Sequence, residues 1–339
     1  MNTFFDPVNN TAAVEQLNKE LGKDGGRTVL ISGCIDTQKV HISSAIASGY
    51  KYMLIVTSDE AKARKMCDDA SFFNREAIYY PAKDAIFYSA DVHGNQITGE
   101  RLRCISRIIN HSSTGEGVLT VVTTMDGIAD RLIPVERFKE AVITLDYSSE
   151  IEPEKLAMGF VRTGMVEDKG QFAIRGGIID IFSYTDEAPV RIELWDTEVD
   201  SIRMFDVESQ RSIERLQSYS IFPATEYIFT EDELKNGLYN IKEECDRQLE
   251  CFDYGKRKRT KEQIEAGNNL NKLVADVERT GNYEKFTDTL VADTVGLAEY
   301  FPEENTLVVL DEPNRLKECN ELTLYEYNES MKNRLAAGY

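Results

Sequence analysis

The sequence predicts an α/β chain in which a parallel sheet is interrupted by a smaller antiparallel β-rich domain. Three observations carry this reading. Short apolar runs alternate with helical segments over residues 1–146, the pattern of strands joined by crossover helices. Residues 147–225 change to short strands with period-two alternation, separated by turn residues. Residues 226–339 return to helix and to one more apolar strand, and so complete the first domain.

Taken in order, Val14, Leu17 and Leu21 repeat at helical spacing over 12–24. The run 28–31, Thr-Val-Leu-Ile, ends at Ser32 and Gly33 and fits a buried parallel strand. A helix is expected from about 39 to 49 and a second strand at 52–56, with Ser58 or Asp59 capping the next helix. A third strand is expected at 77–80, a helix at 100–109 and a strand at 118–124. A short helix is expected at 150–157. Beyond it, Gly176 and Gly177 separate the strands 172–174 and 178–182. Residues 190–195 alternate, Asp196 to Glu198 can turn the chain, and 202–205 pairs back: a meander with one buried face. Alternation puts Arg191, Glu193 and Trp195 on one face and Leu194 on the other, so either Trp195 or Leu194 is the more exposed. Residues 231–285 read as polar helix, 306–310 as an apolar strand running into Asp311 and Glu312, and 313–338 as helix with Pro313 at its first position. The helical pattern reaches Tyr339 without a cap, and a truncated final segment is expected there.

Two of these segments invite comparison with a nucleotide site. A P-loop needs Gly, four residues, then Gly-Lys-Ser/Thr between a strand and a helix. Here Gly33 and Lys39 fall in register, but Gln38 stands at the second glycine and Val40 at the hydroxyl. A side chain at Gln38 obstructs close approach of backbone to phosphate, and Val40 offers no oxygen to Mg²⁺. Asp311 and Glu312 end an apolar strand in the manner of the acidic pair that accompanies such loops. The first domain is therefore expected to be a helicase-like α/β domain with a degenerate P-loop, inactive toward nucleotide.

Composition narrows the function classes. The 339 residues, 42% hydrophobic and 29% charged, suffice for two or three cored domains. A net charge of −20 disfavours non-specific nucleic-acid binding, and the basic run 256–259 sits in acidic helical sequence. Six cysteines without a Cys-x-x-Cys pair, and three histidines, point to reduced thiols and no metal site. No catalytic constellation is found. No apolar run is long enough to span a membrane and the first residues lack signal-peptide character, so a cytoplasmic location is expected.

The residues of the middle domain carry a resemblance. Gly159-Phe160-Val161-Arg162, Gly170-Gln171-Phe172 and Arg175 to Phe182 (RGGIIDIF) resemble the second domain of the UvrB-like module of bacterial transcription-repair coupling factors. So do Arg191-Ile192-Glu193, residues 198–206 and Ser209-Gln210-Arg211; Glu100-Arg101-Leu102, residues 121–124, Tyr300-Phe301-Pro302 and residues 310–313 fit the flanks. UvrB itself is similar, but its P-loop is intact and it carries a tyrosine-rich hairpin. Here nineteen residues, 81–99, separate Tyr80 from Glu100, with Tyr88 the one tyrosine among them. The resemblance implies domains 1a (1–146), 2 (147–225) and 1b (226–339). It implies recruitment of UvrA, through domain 2, to RNA polymerase stalled at DNA lesions in nucleotide excision repair. It places contacts with RNA polymerase and DNA, and any use of ATP and Mg²⁺, in other domains of such proteins, and implies that a C-terminal domain masks the UvrA-binding surface. No cofactor is expected for this chain. The alternative is a UvrB-like nucleotide-dependent subunit that binds damaged DNA.

Residues 159–215 hold six arginines and one lysine against twelve acids. Arginine suits bidentate recognition and is enriched at interfaces. Arg162 and Arg175 align with positions that the resemblance implies in UvrA binding. Arg191 and Trp195, on one face by alternation, complete the expected contact, while Asp180 and Glu193 are expected to pair with neighbouring arginines.

Overall fold

A computed structural model describes residues 4–22, 28–74, 76–83, 94–156, 158–253, 260–280 and 293–337. The basic run 256–259 and Tyr88 lie outside these residues.

The chain opens with helices α1 (Asp6–Asn9), α2 (Ala12–Leu21) and α3 (Asp36–Ala47). Strand β1 (Tyr52–Thr57), helix α4 (Glu60–Phe73) and strand β2 (Ala77–Tyr80) follow, then α5 (Gly94–Thr114) and β3 (Leu119–Thr124). Next come α6 (Met125–Ala129), β4 (Arg131–Leu132), α7 (Val135–Glu140) and β5 (Ile143–Asp146). The middle region carries β6 (Val161–Arg162), β7 (Gln171–Arg175), β8 (Ile178–Phe182), β9 (Val190–Trp195), β10 (Glu198–Phe205), β11 (Ser212–Arg215) and β12 (Ser218–Ile221). Helices α8 (Glu231–Asp253) and α9 (Lys261–Thr280) lead to β13 (Val295–Gly296), β14 (Thr306–Leu310) and α10 (Pro313–Ala337).

The first sheet has four parallel strands in the order β14-β1-β3-β2. Strands β1 and β3 are buried along their whole length, which is why they read as unbroken apolar runs. Asp59 accepts from the Lys62 amide at 2.9 Å and fixes the start of α4 where the sequence places a cap. The strand expected at 28–31 is not formed. Strand β1 already has β14 and β3 on its two sides, the run makes no ladder, and Leu30 is 79% exposed. The helix expected at 150–157 is reduced to a 3₁₀ turn at Pro153–Leu156.

The second sheet has six strands in the order β11-β10-β9-β8-β7-β6 and is antiparallel except for the pair β6–β7. Its inner face presents Phe172, Ile179, Ile181, Val190, Ile192 and Ile202 to a core closed by Leu145, Leu156, Phe160, Tyr219 and Ile221. Burying each aliphatic side chain of this size contributes about 1.5–3 kcal/mol before entropy is counted. Strands β5 and β12 pair with each other, so the chain enters and leaves this region through one two-stranded ribbon. Contacts from α5 help to hold it to the α/β body. Arg101 of α5, fully buried, donates to both oxygens of Glu226 (2.6 and 3.1 Å), to Asp130 (2.6 Å) and to the Pro81 carbonyl (2.8 Å). The Tyr184 ring lies where a side chain on Gly99 of α5 would stand.

Candidate functional site

The residues expected to form the nucleotide site do meet, across the two ends of the chain. Gly33 turns the loop before α3 with φ of +84°, a conformation that favours glycine. Gln38 folds back so that its Oε1 accepts from the Ile35 amide at 3.2 Å, using an amide at the mouth of the helix. Val40 is fully buried against Met53 and Ile55, so the position that would need a metal-binding oxygen points into the core. Lys39 donates to Asp311 at 2.8 Å and pairs with Asp36 at 3.1 Å and Glu312 at 3.4 Å. Lys62 pairs with Asp311 at 2.6 Å and with Glu312 at 3.3 Å, and Thr57 donates to Asp311 at 2.9 Å. Burial alone would raise the Asp311 carboxyl, but hydrogen bonds from Lys39, Lys62 and Thr57 outweigh it and hold the group below the usual carboxylate range. Burial likewise lowers Lys39 and Lys62, and their carboxylate partners reverse this and raise both. Lys62, Asp36 and Thr57 were not identified from the sequence as members of this cluster. The cap at Asp59 was the available signal, because it sets Lys62 within the first turn of α4, beside the end of β14.

The residues expected to contact a partner lie on and around the outer face of the six-stranded sheet. Register across the strands aligns Arg175, Ile178, Glu193 and Ser201 in one row, and Ala173, Asp180, Arg191, Arg203 and Arg215 in the next. Asp180, nearly inaccessible, accepts from Arg191 at 2.6 and 2.8 Å and also pairs with Arg175. Arg191 donates further to Gln210 at 2.9 Å and lies over the Phe205 ring at 4.4 Å. It is thus held from several sides, with a side chain 16% exposed, and its hydrogen bonds to Asp180 raise its pKa. Arg175 is 41% exposed and keeps part of its guanidinium toward water. Glu193 pairs with Arg203 and accepts from Ser201.

Trp195 is the exposed member of its pair, 80% accessible, while Leu194 packs on the core. Two turns flank Trp195. Asp196 takes φ of +62° in the turn between β9 and β10. Gly177, in the neighbouring turn, approaches so closely that a Cβ there would stand 2.7 Å from the Leu194 carbonyl. The β7–β8 turn, Gly176-Gly177, bears no side chains. Arg162 is placed differently. It is exposed on edge strand β6 in register with Phe172, whose side chain enters the core, so register sets Arg162 on the face opposite Arg175. The structure brings Arg175, Arg191 and Trp195 to one face and sets Arg162 on the opposite face, at the β6 edge.

Among the described residues no cluster of His, Cys, Asp and Glu suits a metal ion, and no helix is long and apolar enough to cross a membrane. Cys67 and Cys104 are buried, and burial pushes the Cys67 thiol up to about 11.

A family model for the UvrB interaction domain matches residues 144–227. The transcription-repair-coupling factor of Bacillus subtilis (strain 168) is 33% identical over 93% of the chain and 27% of its own length. The factor of the same name from Staphylococcus haemolyticus is 28% identical over 98% of the chain, and that from Staphylococcus aureus (strain Mu50) 29% identical over 96%. The chain spans about a quarter of the length of these curated relatives, 27% or 28% in each case. It belongs with the UvrB-like modules of bacterial transcription-repair-coupling factors, and residues 144–227 are its UvrB interaction domain.

Proposed function

We propose that this chain is a non-catalytic recruitment module, one that binds UvrA and thereby brings it to RNA polymerase stalled at DNA lesions. The observation that carries the proposal is the outer face of the UvrB interaction domain, which presents both an exposed Trp195 and a half-exposed Arg175. An aromatic anchor next to an arginine is the composition of a protein-binding hot spot. Contacts with RNA polymerase and DNA, an ATP-driven motor and a C-terminal mask for this face would belong to other parts of the intact protein. Nucleotide does not enter the proposal. Val40 and Gln38 do not fit Mg-ATP, and Lys39 is engaged by three carboxylates of its own chain. The same observations weigh against a UvrB-like nucleotide-dependent subunit.

The test is a binding assay between purified chain and UvrA, with Arg162→Glu/Arg175→Glu as the comparison. The double variant should bind at least tenfold more weakly, about 1.4 kcal/mol. Undiminished binding by a folded double variant would sink the reading. A gel shift of damaged duplex at low salt by the chain alone would favour the alternative.

A further inference from the structure

Among the described residues, the six-stranded sheet ends at β11 with no strand on its outer side. We infer that this open edge is a docking site for an acidic, extended segment of a partner protein, added as a further strand. Ser212, Ile213, Glu214 and Arg215 of β11 are all exposed. Leu216 donates to the Ile202 carbonyl at 2.9 Å, so the neighbouring Arg203–Arg215 pair is of the non-hydrogen-bonded kind. The N–H and C=O of Arg215 therefore turn away from β10, toward the open edge, where another strand could take them up. The register slips between Met204 and Phe205, so the regular edge is short and side chains must supply much of the affinity.

The side chains along this edge specify an acid. Register sets Arg191, Arg203 and Arg215 side by side across β9, β10 and β11. Like charges directly opposite one another destabilise a sheet, so the row calls for counter-charge. Asp180 supplies it to Arg191 and Glu193 to Arg203, whose Nε is nevertheless buried without an acceptor among the described residues. Arg215 receives none: among the described residues it makes no ion pair, in a chain with 59 acids to 39 lysines and arginines. Arg211, equally unpaired, then Ile213, 61% exposed, and Arg215 recur at alternate positions, the spacing that one face of a strand presents. Their complement is acid, apolar, acid at the same spacing. In strand addition the backbone gives the segment its place and such alternate side chains give the selectivity. The site is separate from the proposed UvrA contact, since Arg175 stands on β7, at the other side of the sheet.

Fluorescence anisotropy of a dye-labelled Glu-Thr-Val-Thr-Glu peptide, with UvrA absent, tests this. The controls are the same peptide with lysine in place of glutamate, and the acidic peptide N-methylated at its glutamate and valine amides. Wild type should prefer the acidic peptide to the lysine peptide by about tenfold or more, a difference that shrinks as salt is added. Arg215→Glu, at an exposed position, should remove the preference, and N-methylation should abolish binding. No preference in wild type, a preference that survives in Arg215→Glu, or undiminished binding of the methylated peptide would each overturn the inference. So would a wild-type dimer in sedimentation that Arg215→Glu dissociates, because the edge would then belong to a second copy of the chain. None of these outcomes depends on whether UvrA binds at Arg175.

Discussion

Asp311 and Asp180 are both almost wholly buried carboxylates gripped by two cationic side chains, and they lead to opposite outcomes. At the end of β14, Lys39, Lys62 and Arg315 meet three carboxylates, Asp36, Asp311 and Glu312, so the cluster closes on itself in charge. On the outer face of the β6–β11 sheet, Arg175 and Arg191 share the single carboxylate of Asp180, and positive charge is left over. That surplus sits on Arg175, the more exposed of the two arginines, on the face that also presents Trp195. The same device, a buried aspartate between two cations, therefore seals one region and arms the other. What separates them is the count of acids and the cation chosen. A planar guanidinium can hold one carboxylate and still offer donors outward, whereas an ammonium offers three at one point.

The largest effect expected from breaking the comparison is at Asp311. Asp311→Ala leaves two poorly hydrated ammonium groups facing only Glu312 and Asp36, and should cost about 3 kcal/mol in urea unfolding. The pH dependence has a definite sign. The folded pKa of Asp311 is depressed, so its contribution is present above the unfolded value of about 3.9 and is lost as pH falls through the folded value. The gap between wild type and variant should thus narrow in acid. Asp180→Ala should cost less, about 2 kcal/mol, because Arg175 can turn to water. Equal losses at the two sites would erase the distinction drawn between them.

Smaller effects belong to the partner face. Trp195→Ala should weaken UvrA binding by about 2 kcal/mol, the scale of an interface anchor, while changing stability by less than about 0.5 kcal/mol, as expected of an exposed side chain. A loss of stability without loss of binding would assign Trp195 to packing instead. Arg175 and Arg162 separate next. Arg175→Glu should cost about 1.4 kcal/mol in binding, a factor of ten, and Arg162→Glu about 0.5 kcal/mol, because register places Arg162 at the β6 edge on the opposite face. The reverse order would move the contact to the β6 edge.

Much of this was legible in the sequence for local reasons. Period-two alternation predicts which face of β9 carries Arg191, Glu193 and Trp195, because strand geometry allows nothing else. The double glycine predicts a turn, but not that Gly177 must lie against the Leu194 carbonyl, a contact between strands. The run 28–31 has the composition of a buried strand and remains outside the ladder. Composition reports what a segment could bury, and neighbouring strands decide whether a place is open. The meeting of Lys39 with Asp311 across 272 residues was legible from the motif, but no spacing rule shows that Lys62 and Thr57 join Asp311. Arg191 shows the same limit: its residue type suggests a contact with a partner, while Asp180, Gln210 and Phe205 hold it inside the fold.

The smallest predicted effect is a null one, and it tests the sealed region directly. A ligand that binds only the folded state stabilises it by RT ln(1 + [L]/Kd), about 2.7 kcal/mol at a hundredfold excess over Kd. In a domain of ~150–250 residues each kcal/mol moves Tm by about 2–4 °C. A working nucleotide site would therefore announce itself in a thermal scan with millimolar Mg-ATP. In this chain Lys39 is already paired with Asp311, the amide of Ile35 is used by Gln38, and Val40 is packed in the core. Binding would have to break the Lys39–Asp311 contact and leave a buried carboxylate with Lys62 as its one remaining cation, at a cost that offsets the phosphate contact. Wild type should accordingly shift by less than about 1 °C, within the scatter of such scans. A shift of several degrees would show that the carboxylates yield to nucleotide, and the contrast between the sealed lysines at Asp311 and the exposed arginine at Asp180 would fall with it.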